Sequence, residues 1–152
     1  MSTKRPPMEN RIARSFVFSG KAVITLTNTS NNHVMMYKIT KINDFLWFVH
    51  YNFGDVGVRW RYVSCVHKDT PWRLCSADKS KYSPSDKVWV VFEWLLRRIH
   101  GYDNTYPEVI VNHNGFCGRC GRLLTDDKSV EHGLGPVCRI KIWEKERKEV
   151  TK

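Results

Sequence analysis

The chain has 152 residues, of which 41% are apolar and 12% aromatic, which excludes a disordered polar chain and allows one domain plus a small module. No apolar run approaches the ~20 residues that cross a bilayer, and the first nine residues are charged and Pro-rich, so we expect no signal peptide and a cytoplasmic location. The net charge is +10, with 16 Lys and Arg against 7 Asp and Glu in residues 1–100 and 9 against 8 in residues 101–152, which places the basic surface mainly in the first 100 residues.

Residues 1–14 are predicted to be a basic flexible tail. They hold four basic residues against Glu9, and Pro6-Pro7 disfavours a helix. We expect this arm to attract nucleic acid without sequence specificity. The basic residues are Lys4, Arg5, Arg11 and Arg14.

Residues 15–104 are predicted to form an antiparallel sheet with one packed helix, an α+β domain. Four segments alternate apolar and polar residues with the period of two that half-buried strands show, and turn-forming residues separate them. These segments are residues 22–27, 34–42, 45–51 and 58–66. Phe16-Val17-Phe18, ahead of a bend at Ser19-Gly20, extends the same pattern upstream.

The helix of this domain is predicted from its start signal and its apolar stripe. Ser83-Pro84-Ser85-Asp86 fits a capping box with proline at the first helical position, and Gly101 marks the end. Five apolar residues recur between these points at helical spacing, so the helix should pack on one face of the sheet. They are Val88, Val91, Phe92, Leu95 and Ile99.

The predicted sheet carries aromatic and basic side chains together. Aromatic rings on a sheet can stack on unpaired bases, and lysine and arginine bind the phosphates. Arg59 and Arg61 should share one face, whereas Trp60 takes the other; if the arginines face solvent, Trp60 packs in the core. The candidate nucleic-acid-binding residues are Lys4, Arg5, Arg11, Arg14, Lys38, Lys41, Arg59 and Arg61.

Residues 105–152 are predicted to form a zinc-binding module that ends in a charged helix over residues 137–150. Cys117 and Cys120 are two residues apart with a glycine after each, the pattern of a zinc knuckle. A lone CxxC can also be a redox pair, but Gly118-Arg119 between the thiols suits the knuckle better. Cys138 follows Pro136 at the start of the final helix, where the helix dipole favours a thiolate.

The remaining cysteines and the fourth zinc ligand follow from the same argument. Five cysteines cannot all pair as disulfides, and Cys65 and Cys75 are expected to be small core residues.

A closed zinc site needs a fourth ligand, and two histidines are within reach. His113 ends a predicted strand just before the knuckle, whereas His132 lies in a Gly-rich segment. The fixed strand favours His113, with His132 as the alternative.

The run from Cys117 to Cys138, CGRCGRLLTDDKSVEHGLGPVC, resembles an uncharacterised family of small zinc-finger-like domains common in phage and mobile-element proteins. Their pattern is CGxCGRxLTxPxSxxxGxGPxC. The resemblance covers about residues 113–140 and departs at Asp127, where the family often has proline. It favours His113 further, since a similar His-x-Gly element often precedes the first cysteine. It implies an accessory protein of a phage or mobile element in the host cytoplasm, and it implies no catalytic activity.

The sequence contains no P-loop, GxSxG or HExxH motif, so we expect neither an enzyme nor a small-molecule substrate. It predicts a non-enzymatic zinc-binding accessory protein that binds DNA or RNA through its basic N-terminal domain. The alternative is an adaptor or inhibitor that docks on a host enzyme or defence factor, because an acidic protein partner would be attracted to the same basic surface.

Overall fold

The computed structural model describes residues 7–76 and 78–150. Its elements are helices and strands in the order α1 (Asn10–Val17), β1 (Lys21–Asn28), β2 (His33–Asn43), β3 (Leu46–Asn52), β4 (Trp60–His67), α2 (Lys87–Ile99), β5 (Val109–His113), α3 (Asp127–His132) and α4 (Pro136–Val150). The α+β class with an antiparallel sheet is confirmed. None of the described helices is both long and apolar enough to cross a bilayer.

The five strands form one antiparallel sheet in the order β4-β3-β2-β1-β5. The turn at residues 29–32 joins β1 to β2 as the predicted hairpin, and Asn28 pairs with His33 at its end. β5 pairs with the other edge of β1, where His113 lies opposite Ile24. The sheet therefore extends across the boundary that the sequence placed between residues 104 and 105.

The hydrophobic core lies between one face of the sheet and helices α1 and α2. Tyr37 of β2 is fully buried at its centre, and its ring contacts the rings of Phe92 and Tyr51 at centroid distances of 4.9 and 5.2 Å. The Tyr37 hydroxyl donates a hydrogen bond to the backbone oxygen of Val88, 2.9 Å away. Burial raises the pKa of Tyr37, so the neutral phenol links the sheet to α2.

The prediction for the N-terminal segment is wrong where the structure describes it. Residues 10–14 were expected in a flexible tail and residues 16–18 in an extended segment, but Asn10–Val17 is a helix. The reason is packing, because Ala13, Phe16 and Val17 recur at helical spacing and are buried against the core. Lys4 and Arg5 lie outside the described residues.

Two further details differ from the sequence prediction. Helix α2 begins at Lys87, three residues after the proline expected to open it. The Asp86 carboxylate accepts a hydrogen bond from the Ser83 backbone N–H at 2.8 Å, so it closes the turn before the helix. The short helix α3 was not predicted, although Asp126 caps it by accepting a hydrogen bond from Ser129 N–H at 3.1 Å.

Replacing Tyr37 by Phe should lower the free energy of unfolding by about 1 kcal/mol, because the Val88 carbonyl loses its phenolic donor in the core. Urea denaturation of both proteins measures the difference. Tyr102→Phe is the matched control, since the Tyr102 side chain is 70% exposed and should change stability little. Equal losses in the two variants would show that the buried hydrogen bond does not stabilise the fold.

Candidate metal centre and basic cleft

Three cysteine thiols meet beside the end of the sheet. The sulfur atoms of Cys117, Cys120 and Cys138 all lie within 4.8 Å of one another. Metal–sulfur bonds of about 2.3 Å in a tetrahedral site place sulfurs about 3.8 Å apart, so the group fits one ion after a small contraction. The three cysteines can therefore hold a metal ion, and within residues 7–76 and 78–150 the group includes no histidine or carboxylate.

The backbone around Cys117 forms the tight turn that the CxxC spacing predicts. The Gly121 N–H donates to the Cys117 carbonyl at 2.9 Å, and Cys117 N–H donates to the Arg122 carbonyl at 2.7 Å. Gly121 has a φ of +81°, a conformation that side chains with a Cβ rarely adopt. Cys138 comes from the first turn of α4, so the group joins the turn to this helix.

Hydrogen-bond donors around the thiols favour the thiolate that a metal needs. Burial acts to raise the pKa of Cys117, but backbone N–H groups of Cys120, Gly135 and Arg119 outweigh it and lower the pKa to about 7. Arg119 and Gly135 each place their nitrogen 3.4 Å from the Cys117 sulfur. Burial raises the pKa of Cys138, although the Arg119 guanidinium, 3.6 Å from its sulfur, opposes this. Cys117 is thus better prepared than Cys138 to lose its proton.

The geometry does not support either histidine as the fourth ligand. His113 is buried, its Nδ1 accepts a hydrogen bond from Gly115 N–H at 2.9 Å, and its Nε2 is hydrogen-bonded to the Val130 carbonyl. Both ring nitrogens are therefore occupied away from the thiols. His132 packs edge-on against Trp143 of α4, with ring centroids 5.4 Å apart. The strand end does fix His113, but it directs the ring into hydrogen bonds rather than to the sulfurs.

The ring of Phe16 joins the thiol module, which we define as the segment between β5 and Cys138 (residues 114–138), to the rest of the fold. Phe16 is fully buried and lies 5.7 Å from the His113 ring. A Cβ atom at Gly118 would come within 2.7 Å of the Phe16 ring, and one at Gly133 within 2.5 Å. The Gly118 N–H donates to the Gly133 carbonyl at 2.9 Å, so the two glycines make a backbone platform on which the ring packs.

A second candidate site is a basic cleft of about 800 Å³ between α1, α4 and the β2–β3 turn. Trp47, Phe18 and Trp143 contribute aromatic surface to it. Six lysine and arginine side chains line it against two acids, Asp44 and Glu146. The basic residues are Arg11, Arg14, Lys41, Lys68, Lys145 and Arg147.

Ion pairs hold the cleft together. Asp44 in the β2–β3 turn is bonded to Lys41 at 3.2 Å and to Lys145 of α4 at 3.3 Å. Lys41 and then Lys145 lower the pKa of the Asp44 carboxyl, so it stays ionised at neutral pH. The Ser15 hydroxyl of α1 donates to Glu146 at 2.6 Å. Both acids of the cleft are therefore engaged in bonds across it.

The structure separates the predicted nucleic-acid-binding residues into groups. Arg11, Arg14 and Lys41 line the basic cleft. Lys38 lies on the opposite face of the sheet, with its ammonium 5.0 Å from the Trp60 ring, so Trp60 does not pack in the core. Arg59 and Arg61 stack on Phe53, with guanidinium carbons 4.9 and 4.1 Å from the ring.

Sequence reasoning missed the other basic residues of the cleft and misjudged two cysteines. Lys68, Lys145 and Arg147 come from separate segments that only the tertiary fold brings together. Cys65 is half-buried and Cys75 is exposed, so the expectation that both are core residues is wrong. The Cys75 backbone N–H donates to the Cys65 carbonyl at 2.9 Å. This bond joins the segment around Cys75 to the edge strand β4.

Comparison with known proteins gives one match. A family model described as a family of unknown function, DUF6011, matches residues 111–142, the segment that runs from the end of β5 through the three thiols. No curated protein and no solved structure matches the chain. The chain is thus similar to this family in the thiol module alone.

Introducing a methyl group under Phe16 should destabilise the protein. Gly118→Ala is expected to lower the free energy of unfolding by about 1–3 kcal/mol, because the new Cβ would meet the Ser19 hydroxyl oxygen and the Phe16 ring in a packed core. Gly135→Ala is the control, since no atom lies within 4 Å of a Cβ at that position. Urea denaturation measures both. A Gly118→Ala protein as stable as the control would show that the ring does not rest on this glycine.

Proposed function

We propose that this protein is a non-enzymatic, zinc-binding accessory protein that binds nucleic acid. The basic cleft is the observation that carries the proposal, because it gathers six basic side chains against two engaged acids around aromatic surface. The resemblance of the thiol module adds that it is a phage or mobile-element protein acting in the host cytoplasm.

Zinc is the metal that suits the three thiols best. Cysteine thiolates are soft ligands that select zinc over magnesium, calcium or manganese, and the two-residue spacing of Cys117 and Cys120 is that of structural zinc sites. The N–H groups that point at the Cys117 sulfur support a bound thiolate. In this proposal zinc has a structural role, and Cys117, Cys120 and Cys138 would hold it.

The metal would also organise the cleft. Cys117 and Cys120 follow β5, whereas Cys138 belongs to α4, so an ion at the thiols fixes α4 relative to the sheet. The same helix carries Lys145 and Arg147 into one wall of the cleft. Nucleic-acid binding thus depends on both halves of the chain, whereas the sequence placed the affinity in residues 1–104.

The charge of the cleft suits a phosphate backbone. Each phosphate that a lysine or arginine neutralises releases counterions, so affinity falls with salt in proportion to the number of contacts. Arg11 and Arg14, which are three residues apart on α1, are both exposed and line the same cleft. The aromatic surface beside them provides contacts for sugars or bases.

The adaptor alternative has one observation in its favour. Several apolar side chains on the thiol module and on α4 are more than 40% exposed. They are Phe116, Leu123, Val137 and Ile140. Exposed apolar side chains that form a patch mark protein-binding surfaces. A protein partner would use this surface, and binding there would not depend on the basic cleft.

Metal analysis of the purified protein should find about one zinc per chain, and Cys117→Ser should lose it, because the thiolate is both ligand and charge. Cys75→Ser is the control, since Cys75 is exposed and outside the thiol group. His113→Ala should lower stability yet keep the metal. If His113→Ala stays folded but loses zinc as fully as Cys117→Ser, then His113 is a ligand after all.

The double variant Arg11→Gln/Arg14→Gln should weaken binding to DNA and RNA oligonucleotides and reduce the slope of log K against log salt by about two for duplex DNA, because two phosphate contacts are removed. Fluorescence anisotropy at several salt concentrations measures this.

The control is Lys79→Gln/Lys81→Gln, which removes the same charge from exposed residues outside the cleft. Equal slopes for the two double variants would show that Arg11 and Arg14 in the cleft do not contact phosphates. If the unmodified protein binds no nucleic acid at low salt, the proposed function is wrong and the adaptor alternative replaces it.

A further inference from the structure

The face of the sheet opposite α1 and α2 carries its own cluster of aromatic rings. The core residues Tyr37, Trp47 and Val49 point towards the helices, so their neighbours along β2 and β3 point away. We call this second surface the open face. Its central residues on β2, β3 and β4 are all half-buried, so they pack sideways against one another while part of each remains at the surface. They are Lys38, Phe48, His50, Trp60 and Tyr62.

The register of the strands fixes these side chains as a continuous surface. His50 pairs with Lys38 on one side and with Tyr62 on the other, which places the three in one row across the sheet. The Tyr62 ring meets the rings of Phe48 and His50 edge-on, at centroid distances of 5.4 and 5.6 Å. Neighbouring rings thus hold each other in fixed orientations and need little further ordering when a ligand binds.

The charge of the open face suits an anion. Among the five described strands, none contains an aspartate or a glutamate. The Lys38 ammonium lies over Trp60, so a positive charge stands beside the largest ring. Burial, and then the charge of Lys38, lower the pKa of His50, which leaves its ring neutral at pH 7. The surface therefore combines rings with a cation and lacks acids that would repel phosphate.

We propose that the open face binds the unpaired bases of single-stranded DNA or RNA, with Trp60, Tyr62 and Phe48 as the stacking residues and Lys38 as the phosphate contact. In a duplex the faces of the bases are stacked on each other, whereas an unpaired base offers its face to an aromatic ring. This proposal rests on the proposed function and adds the class of nucleic acid to it. The basic cleft contacts phosphates, which both single strands and duplexes present.

The test compares a labelled 12-nucleotide oligothymidine with a 12-base-pair duplex by fluorescence anisotropy. Trp60→Leu and Tyr62→Leu each remove an aromatic ring and keep an apolar side chain of moderate size. Each should lower the single-strand affinity roughly 5- to 150-fold, since one base–aromatic stack contributes about 1–3 kcal/mol. Duplex affinity should change less than about twofold, because the cleft is untouched.

Trp72→Leu is the matched control, since Trp72 is 40% exposed and packs edge-on against Tyr102 outside the open face. Urea denaturation and metal content establish that each variant is folded. Single-strand affinity that survives both Trp60→Leu and Tyr62→Leu overturns the proposal, as does equal weakening of duplex binding. A protein dimer that Trp60→Leu abolishes in sedimentation, with oligonucleotide affinity unchanged, assigns the face to a protein contact and also overturns it. Failure of the unmodified protein to bind either oligonucleotide at low salt is instead the failure of the proposed function.

Discussion

The packing of one aromatic ring on two glycines connects the parts of this protein. Phe16 of α1 is completely buried, contributes to the main core, and rests on the backbone of Gly118 and Gly133. A side chain at either glycine would displace the ring, and loss of the ring would leave a cavity between the core and the thiol module. β5 and the hydrogen bond from Lys21 N–H to the Gly118 carbonyl also join the module to the sheet, but Phe16 is the side chain that packs on both glycines.

The basic cleft depends on the same arrangement. One of its walls is α1, whose position Phe16 fixes, and the other is α4, whose first turn carries Cys138. Ser15 and Glu146 join the two helices directly, and Lys145 reaches Asp44 in the sheet. A metal held by the three thiols would thus act on the cleft through α4, whereas Phe16 acts on it through α1.

Periodicity was sufficient for most of the fold. The strands β1 to β4 and helix α2 follow from apolar spacing, the charged helix α4 follows from Pro136, and the three thiols follow from the CxxC motif and that helix start. Helix α1 was missed because Pro6-Pro7 and the nearby arginines suggested a tail. The spacing of Ile12, Ala13, Phe16 and Val17 did contain a helical signal, and a search for the period of 3.6 across residues 10–17 would have found it.

Contacts between distant segments are what no local pattern encodes. His113 was expected at the metal because it ends the strand before Cys117, whereas in the structure its two ring nitrogens bond to the backbone of Gly115 and Val130. The cleft combines Arg14, Lys68 and Lys145 from three segments, and the net charge of each half of the chain gave no indication that they meet. Charge counts identify which part of a chain is basic, whereas the fold decides where the charge is concentrated.

The platform under Phe16 bears on whether the thiol segment forms a folding unit of its own. The family match begins at residue 111, so the ring that covers Gly118 and Gly133 belongs to a part of the chain outside the matched segment. In this chain the matched segment is therefore not a closed unit, because a side chain from α1 buries its backbone. Cut free from α1, it would expose that backbone to water.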